Sequence, residues 1–317
     1  MTLVIDGLSK RYGQVVALDQ VGFRVEPGEI FGFLGANGAG KTTTMRIVLD
    51  ILRADSGTVT WRGRPNIELP RRTFGYLPEE RGLYPRMRVL DQLVFFAGLY
   101  GVPTGDARLA ALGWLERFRV SDLADRRADE LSKGNQQKIQ FIAAILHDPE
   151  VLLMDEPFTG LDPVNVSLLR AAFTELAARG KTLIFSTHQM EVVESLADAI
   201  AIIDRGRLLT GGPTQEVRRR AGRPVVRLAV EGDPELAWAA SLPGVRAVRA
   251  GSGVSELSIL PGTDPQSILR AALARGGVVT CFEIADASLE EIFIDLVGRP
   301  ADDPGSGASG LPVESAA

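Results

Sequence analysis

The chain has 317 residues, of which 45% are hydrophobic and 24% charged, with a formal net charge of −5. That length suits about two domains with a sizeable core, and the acidic balance argues against nucleic acid as a partner, because phosphate backbones are held by basic faces. One cysteine, Cys281, excludes an internal disulfide and a thiolate metal cluster and fits a reducing compartment. The amino terminus, MTLVIDGLSKRYG, lacks the basic start and long apolar run of a signal peptide. No apolar run reaches the roughly 18 residues that a spanning helix requires.

In chain order, short apolar runs alternate with helix-period segments, which predicts an α/β core. EIFGFLG (29–35) reads as a buried strand and KTTTMRIVLDIL (41–52) as the helix after it. From about 83 to 147 three stretches carry helical spacing, RVLDQLVFFAGLYG, DARLAALGWLERF and NQQKIQFIAAILH, which predicts a helical insertion between two halves of the core. EVLLMDE (150–156) and KTLIFST (181–187) read as two more buried strands. AIAIIDRGRLL (199–209) reads as a strand, a turn at Arg205-Gly206 and a second strand. A break follows in GGPTQEVRRRAGRP (211–224).

Beyond the break the predicted order is strand VVRLAV, helix PELAWAASL, strand VRAVRA, strand SELSIL, helix PQSILRAALARG, strand VVTCFEIA and helix LEEIFIDLVG. Asp233-Pro234 and Asp264-Pro265 are N-cap and first-turn pairs, and Ser288 with Glu291 forms a capping box. This βαββαβ order predicts a small α+β ferredoxin-like domain. The expected division is 1–215 for the large domain, 216–298 for the small one, and a disordered tail over 299–317, which is small, polar and rich in Pro and Gly.

GANGAGKT (35–42) matches G-x-x-x-x-G-K-[ST] between a predicted strand and a predicted helix. Gly35, Ala36, Asn37, Gly38, Ala39 and Gly40 let the backbone curl so that its N–H groups converge on phosphate oxygens, and the helix beginning at Lys41, Thr42 and Thr43 adds its positive dipole end. Lys41 places a point charge by the β- and γ-phosphates, and the Thr42 hydroxyl suits Mg²⁺. VLLMDE (151–156) delivers Asp155 to the C-terminal end of a buried strand, where ligands of parallel sheets bind and where it would hold Mg²⁺. Glu156 follows as a carboxylate able to polarise an attacking water. To this point kinases, GTPases and ATPases all fit.

LSKGN, from Leu131 through Ser132, Lys133 and Gly134 to Asn135, narrows the choice. It resembles the L-S-G-G-Q signature of ATP-binding cassette (ABC) ATPases, and the sequence HDPEVLLMDEPFTGLDP after its helix fits as well. A Ser hydroxyl, an exposed Gly N–H and a helix dipole make an anion site without net charge; Ser132 as a plain N-cap is compatible with the same geometry. A P-loop kinase or GTPase offers no use for this stretch.

The resemblance spans nearly the whole chain, most closely over 1–210. It implies a RecA-like core with a helical subdomain over about 83–147, ATP and Mg²⁺ as ligands, and two chains sandwiching two ATP molecules head to tail. The signature Ser132, Gly134 and Asn135 would then touch the γ-phosphate held by the other chain. By the same resemblance Tyr12 stacks on adenine, Asp162 belongs to the loop joining two sites, His188 contacts the γ-phosphate and orients water, and Lys41, Glu156 and His188 are catalytic. Glu79 in GYLPEE stands where the family usually has Gln and joins Thr42 and Asp155 as a candidate metal ligand; it adds negative charge beside Asp155 and Glu156. His147 reads as a helix-end residue.

GYLPEERGLYPRMRVLDQLVFFAGLYG and the small C-terminal domain resemble the branch that serves sodium- and drug-export permeases. The expected function is therefore the ATPase subunit of an exporter. It would lie peripherally on the cytoplasmic face of the membrane, paired with a second copy or a paralogous ATPase and with an integral membrane permease, and Phe95 and Phe96 would be candidates for the docking surface. The alternative is a soluble ABC ATPase acting on ribosomes or nucleic acid.

Overall fold

The computed structural model describes residues 2–80, 82–220, 224–251, 253–260 and 262–298. The predicted tail over 299–317 lies outside them. The chain divides into two compact units, the first running Met1–Thr214 and the second beginning at Gln215.

The first unit opens with β1 (Leu3–Tyr12), β2 (Val15–Val25) and β3 (Ile30–Leu34), followed by α1 (Lys41–Val48), β4 (Ser56–Trp61), β5 (Arg64–Pro65) and β6 (Phe74–Leu77). Three helices come next, α2 (Val89–Leu99), α3 (Thr104–Arg117) and α4 (Lys133–Ile145). The core then resumes with β7 (Val151–Asp155), α5 (Pro163–Ala178), β8 (Thr182–Thr187), α6 (Met190–Leu196), β9 (Ala199–Asp204) and β10 (Arg207–Pro213).

Two sheets share a core. The antiparallel sheet has the order β2-β1-β4-β5, and the larger sheet has the order β10-β9-β3-β8-β7-β6. Neighbours in the larger sheet run parallel except β9 and β10. Every side chain of β3, β7 and β8 is buried, as expected when both faces of a parallel sheet are covered. On one face Phe31, Phe33 and Ile184 pack with Met45 of α1 and with Val21 and Trp61 of the antiparallel sheet. Toward the other face a run of rings joins the helical insertion to the sheet: Phe118 to Phe141 (5.5 Å between centroids), Phe141 to Phe173 (6.0 Å), and Phe173 to both Phe158 (5.3 Å) and Phe185 (5.6 Å).

The turn at Arg205-Gly206 has positive φ at both residues, 46° and 79°, the geometry of a tight two-residue hairpin. Helix α1 is four residues shorter than its apolar pattern predicts. It closes at Leu49, and Asp50 turns left-handed at φ 54°.

His147 sits buried just after α4. Its Nε2 donates to Phe74 O at 3.0 Å, its ring stacks on Tyr100 at 3.8 Å, and Nδ1 has no partner among the described residues. Burial, first, and the charges of Arg72 and Lys181 hold the imidazole below its ordinary value of 6.5, against the upward pull of the Phe74 bond and Asp148. The folded form therefore keeps His147 neutral to lower pH than the unfolded chain, which takes up a proton as pH falls through about 6.5. Stability from this residue is fully present above that pH and lost below it, because the unfolded state then binds more protons. Thermal melts of His147→Phe between pH 7.5 and 5.5 are expected to depend less on pH than those of the native protein; equal slopes would show that His147 does not contribute.

The second unit contains α7 (Thr214–Arg220, which begins at the division), β11 (Pro224–Val230), β12 (Val245–Arg249), β13 (Ser255–Ile259), α8 (Pro265–Ala274), β14 (Val279–Asp286) and α9 (Leu289–Val297). Its sheet is antiparallel throughout, in the order β12-β13-β11-β14. Val226, Leu228, Leu257, Ile259 and Ile268 form its core. Asp264 caps α8, and the Ser288–Glu291 capping box is formed. The predicted helix PELAWAASL is instead a short 3-10 stretch, Ala237–Ser241. Asp233 turns its carboxylate to Leu236 N (3.2 Å) and the Trp238 indole (2.8 Å), and Leu236 enters left-handed at φ 49°. A helix cannot start through that residue.

Candidate functional site

The parallel order places the C-terminal ends of β3, β8 and β7 side by side, with Leu34 opposite Thr187 and Asp155 opposite Ser186. Three chain segments leave the sheet at this edge. After β3 comes the loop Gly35–Gly40. Gly35 passes so close to β9 that a Cβ would lie 2.4 Å from Ile203 O. Gly40, at φ 113°, starts α1 without a side-chain cap. The first N–H groups of α1 therefore lack intrahelical partners and stand at the positive end of its dipole.

Lys41 is buried and donates from Nζ to Gly35 O (2.6 Å) and Ala36 O (3.1 Å), across the mouth of its own loop. Burial lowers its pKa, while the carboxylates of Glu156, Asp155 and Glu79 pull it upward. Thr42 Oγ1 donates to Asp155 Oδ2 at 2.5 Å, and Ser186 Oγ donates to Asp155 Oδ1. Both oxygens of a nearly inaccessible carboxylate are thus satisfied, as burial demands.

Glu156 is left-handed at φ 52°, a conformation that costs energy for a residue with a Cβ and is often stored at functional sites. Its N–H is held by Ser186 O (3.1 Å) and Ser186 Oγ (3.2 Å). Its carboxylate accepts from Thr159 Oγ1 (3.1 Å) and Thr187 Oγ1 (3.3 Å) on Oε2 and meets His188 Nδ1 at 3.0 Å on Oε1. His188 itself is 58% exposed at its side chain. The edge therefore offers a buried acid joined to an exposed imidazole, a carboxylate paired with a hydroxyl, and a cation under a curled loop. Such a set can bind a polyphosphate and activate water against it.

Lys41, Thr42, Asp155, Glu156 and His188 are thus brought together, and Glu79 lies close enough to act on Lys41. Tyr12 is exposed at the end of β1, with Lys10 Nζ 5.9 Å from its ring centre. Ser132 caps α4, accepting from Asn135 N at 3.3 Å. The surroundings of Gly134 are Leu161, Gly160 and Asn165. Asp162 caps α5, accepting from Asn165 N (2.9 Å) and Nδ2 (2.7 Å). Among the described residues no hydrogen bond or ion pair links Ser132, Gly134 or Asn135 to the loop at 35–42. Sequence reasoning passes over Ser186, Thr187 and Thr159, the hydroxyls that fix Asp155 and Glu156. The signal for two of them is the pair of hydroxyl residues closing the apolar run TLIFST.

Comparison with known proteins gives the family of both units. Residues 18–159 match the family model described as ABC transporter, and residues 212–297 match the one described as ATP-binding protein DrrA1-3-like, C-terminal domain. The chain is 42% identical over 297 residues to the uncharacterized ABC transporter ATP-binding protein YhaQ of Bacillus subtilis, covering 93% of this chain and 98% of that one. It is 33% identical to the Nod factor export ATP-binding protein I of Mesorhizobium japonicum, covering 95% and 89%. A solved ATP-binding subunit of an ABC transporter superposes with a TM-score of 0.66 at 30% identity, covering 70% of this chain and 94% of that one.

Proposed function

The chain belongs to the ATP-binding proteins of ABC transporters, and on that premise we propose that it powers a separate export permease by closing head to tail with a second copy, or a paralogous ATPase, around two ATP molecules. The observation that carries the reading is the separation within one chain. Lys41, Thr42, Asp155, Glu156 and His188 share one sheet edge, while Ser132, Gly134 and Asn135 sit at the N-terminus of α4 with no hydrogen bond or ion pair to it among the described residues. Each chain then offers two half-sites, and a partner completes them.

In the proposed cycle the Gly35–Gly40 loop and Lys41 hold the β- and γ-phosphates and Tyr12 stacks on adenine. A water attacks the γ-phosphorus, the bond from γ-phosphorus to the ADP oxygen breaks, and the water's proton passes to Glu156. His188, through its contact with Glu156, orients that water, and Asp162 lies in the segment linking the two sites. Thr42 Oγ1 and Asp155 Oδ2, 2.5 Å apart, are the hard oxygens that Mg²⁺ takes, with Glu79 a third candidate; the bound ion would offset charge on the transferring phosphate.

We assign the ATPase to residues 1–215 and an accessory, ferredoxin-like domain to 216–298. The strand order β12-β13-β11-β14 and the α8 connection support that topology, with a 3-10 stretch replacing its first helix. The chain would act peripherally at the cytoplasmic face; among the described residues no helix is long and apolar enough to cross a membrane. The export direction is carried over from the Nod factor export relative. For the permease contact we propose the exposed cluster of Tyr84, Phe95 and Leu99 in the helical insertion, where Tyr84 packs on Phe95 and on the half-buried Phe96.

Co-expression with a multi-span membrane protein encoded next to this chain tests the proposal. Joint purification from membranes is expected, and Phe95→Asp is expected to abolish it while leaving basal ATP hydrolysis unchanged. Co-sedimentation with ribosomes or nucleic acid, and none with the membrane protein, would overturn it.

A further inference from the structure

Helix α4 carries a buried glutamine to which the proposed hydrolysis cycle gives no role. Gln140 is 5% exposed. Its Nε2 donates to Pro78 O at 3.2 Å and to Glu80 O at 3.0 Å. Both amide hydrogens are thus spent on the backbone immediately before and after Glu79. Its Oε1 is buried without a partner among the described residues, a costly arrangement unless the amide is needed where it is. One turn earlier Gln137 donates at 3.1 Å to Pro157 O, the carbonyl of the residue that follows Glu156. One helix therefore grips the backbone beside two of the three acidic residues of this edge, Glu79 and Glu156.

Glu79 needs such a hold. It leaves β6 two residues after Leu77, whose partner Met154 precedes Asp155. Its carboxylate, with those of Asp155 and Glu156, acts on the single ammonium of Lys41. Three carboxylates outnumber the nearby cations, Lys41 and the Arg46 that reaches Tyr76 beside Asp155 and Glu79, and like charges disfavour one another at this range. Glu79 is exposed, so nothing in the packing of its own side chain opposes a swing into solvent. The two bonds from Gln140 act on the backbone instead and cannot be relaxed by side-chain rotation of Glu79.

We propose that Gln140 is a positioning residue: it fixes the Pro78–Glu80 segment, and through it the carboxylate of Glu79, against the phosphate edge. Movement of α4 is thereby passed to Glu79 directly. This role rests on the proposed nucleotide site and adds to it the residue that sets Glu79.

A double-mutant cycle tests it. Gln140→Met keeps the length and stem of the side chain and removes both donors. In the otherwise native chain it is expected to lower kcat for ATP about ten-fold with KM within about two-fold. In a Glu79→Gln background the same change is expected to cost less than about two-fold, since the charge to be held is gone. Amide hydrogen exchange at residues 79 and 80 is expected to quicken in Gln140→Met, with exchange in α4 unchanged. Equal losses in both backgrounds, no loss in either, or unaltered exchange would overturn the proposal. Should Gln140→Met fail to fold, Gln140→Leu, which also lacks a donor and buries no charge, is read in the same way. Native turnover in Glu156→Gln would place the failure in the site reading itself, whereas an inactive Glu156→Gln with an additive cycle would place it in Gln140 alone.

Discussion

Glu156→Gln is expected to bind ATP within about two-fold of the native chain while its turnover falls by about 10²–10⁴. The substitution keeps the side chain's shape in a site where the carboxylate is buried and touched by Thr159, Thr187 and His188. The two hydroxyls can rotate to suit an amide, so the left-handed backbone at residue 156 and its bonds to Ser186 should survive. Lys41 and the Gly35–Gly40 loop stay in place, which preserves phosphate binding. What is lost, on the proposed cycle, is the group that takes the water's proton. Single-turnover hydrolysis and nucleotide titration on the same preparation separate the two effects. Unchanged turnover would remove Glu156 as the base.

Ser132→Arg is expected to leave single-chain nucleotide binding intact and to lower turnover by at least about 10²-fold, the scale for removing one preorganised donor from a phosphate or oxyanion site. Ser132 is exposed at the start of α4, where its hydroxyl holds Asn135 N. An arginine there loses the cap, at about 1 kcal/mol, and puts a bulky cation where the partner's phosphate is to dock. Ser132→Asn, which keeps a capping oxygen, separates the two causes: it should restore stability and not full turnover. If Ser132→Arg instead weakens ATP binding to the isolated chain, the signature serves its own chain's site and the cross-chain reading fails.

The nucleotide edge is legible in the sequence because its chemistry is written locally. Buried runs end at Leu34, Asp155 and Thr187, and a parallel sheet lines up such ends whatever the order of its strands. The turn at Arg205-Gly206 and the capping box at Ser288 are likewise short-range devices. The antiparallel sheet over residues 3–25 and 56–65 leaves no such mark. Its pairing is long-range and irregular, with register shifts between Ile5 and Leu8 and between Asp6 and Ser9, so no clean alternation marks it. The helix expected at PELAWAASL fails because Asp233 spends its carboxylate on the Trp238 indole as well as on Leu236 N, a contact that propensity does not contain. Gln140 escapes for a related reason: its partners, Pro78 and Glu80, lie 60 and more residues away, and only the folded chain brings them to α4.

The most direct test of nucleotide-driven pairing is the mass in solution of Glu156→Gln, measured by sedimentation with and without ATP and Mg²⁺. Head-to-tail closure requires single chains without nucleotide, paired chains with it, and single chains again when Ser132→Arg is added to the same protein. A native enzyme that turns over ATP fully yet sediments as one chain at every concentration, with nucleotide or without, would contradict it.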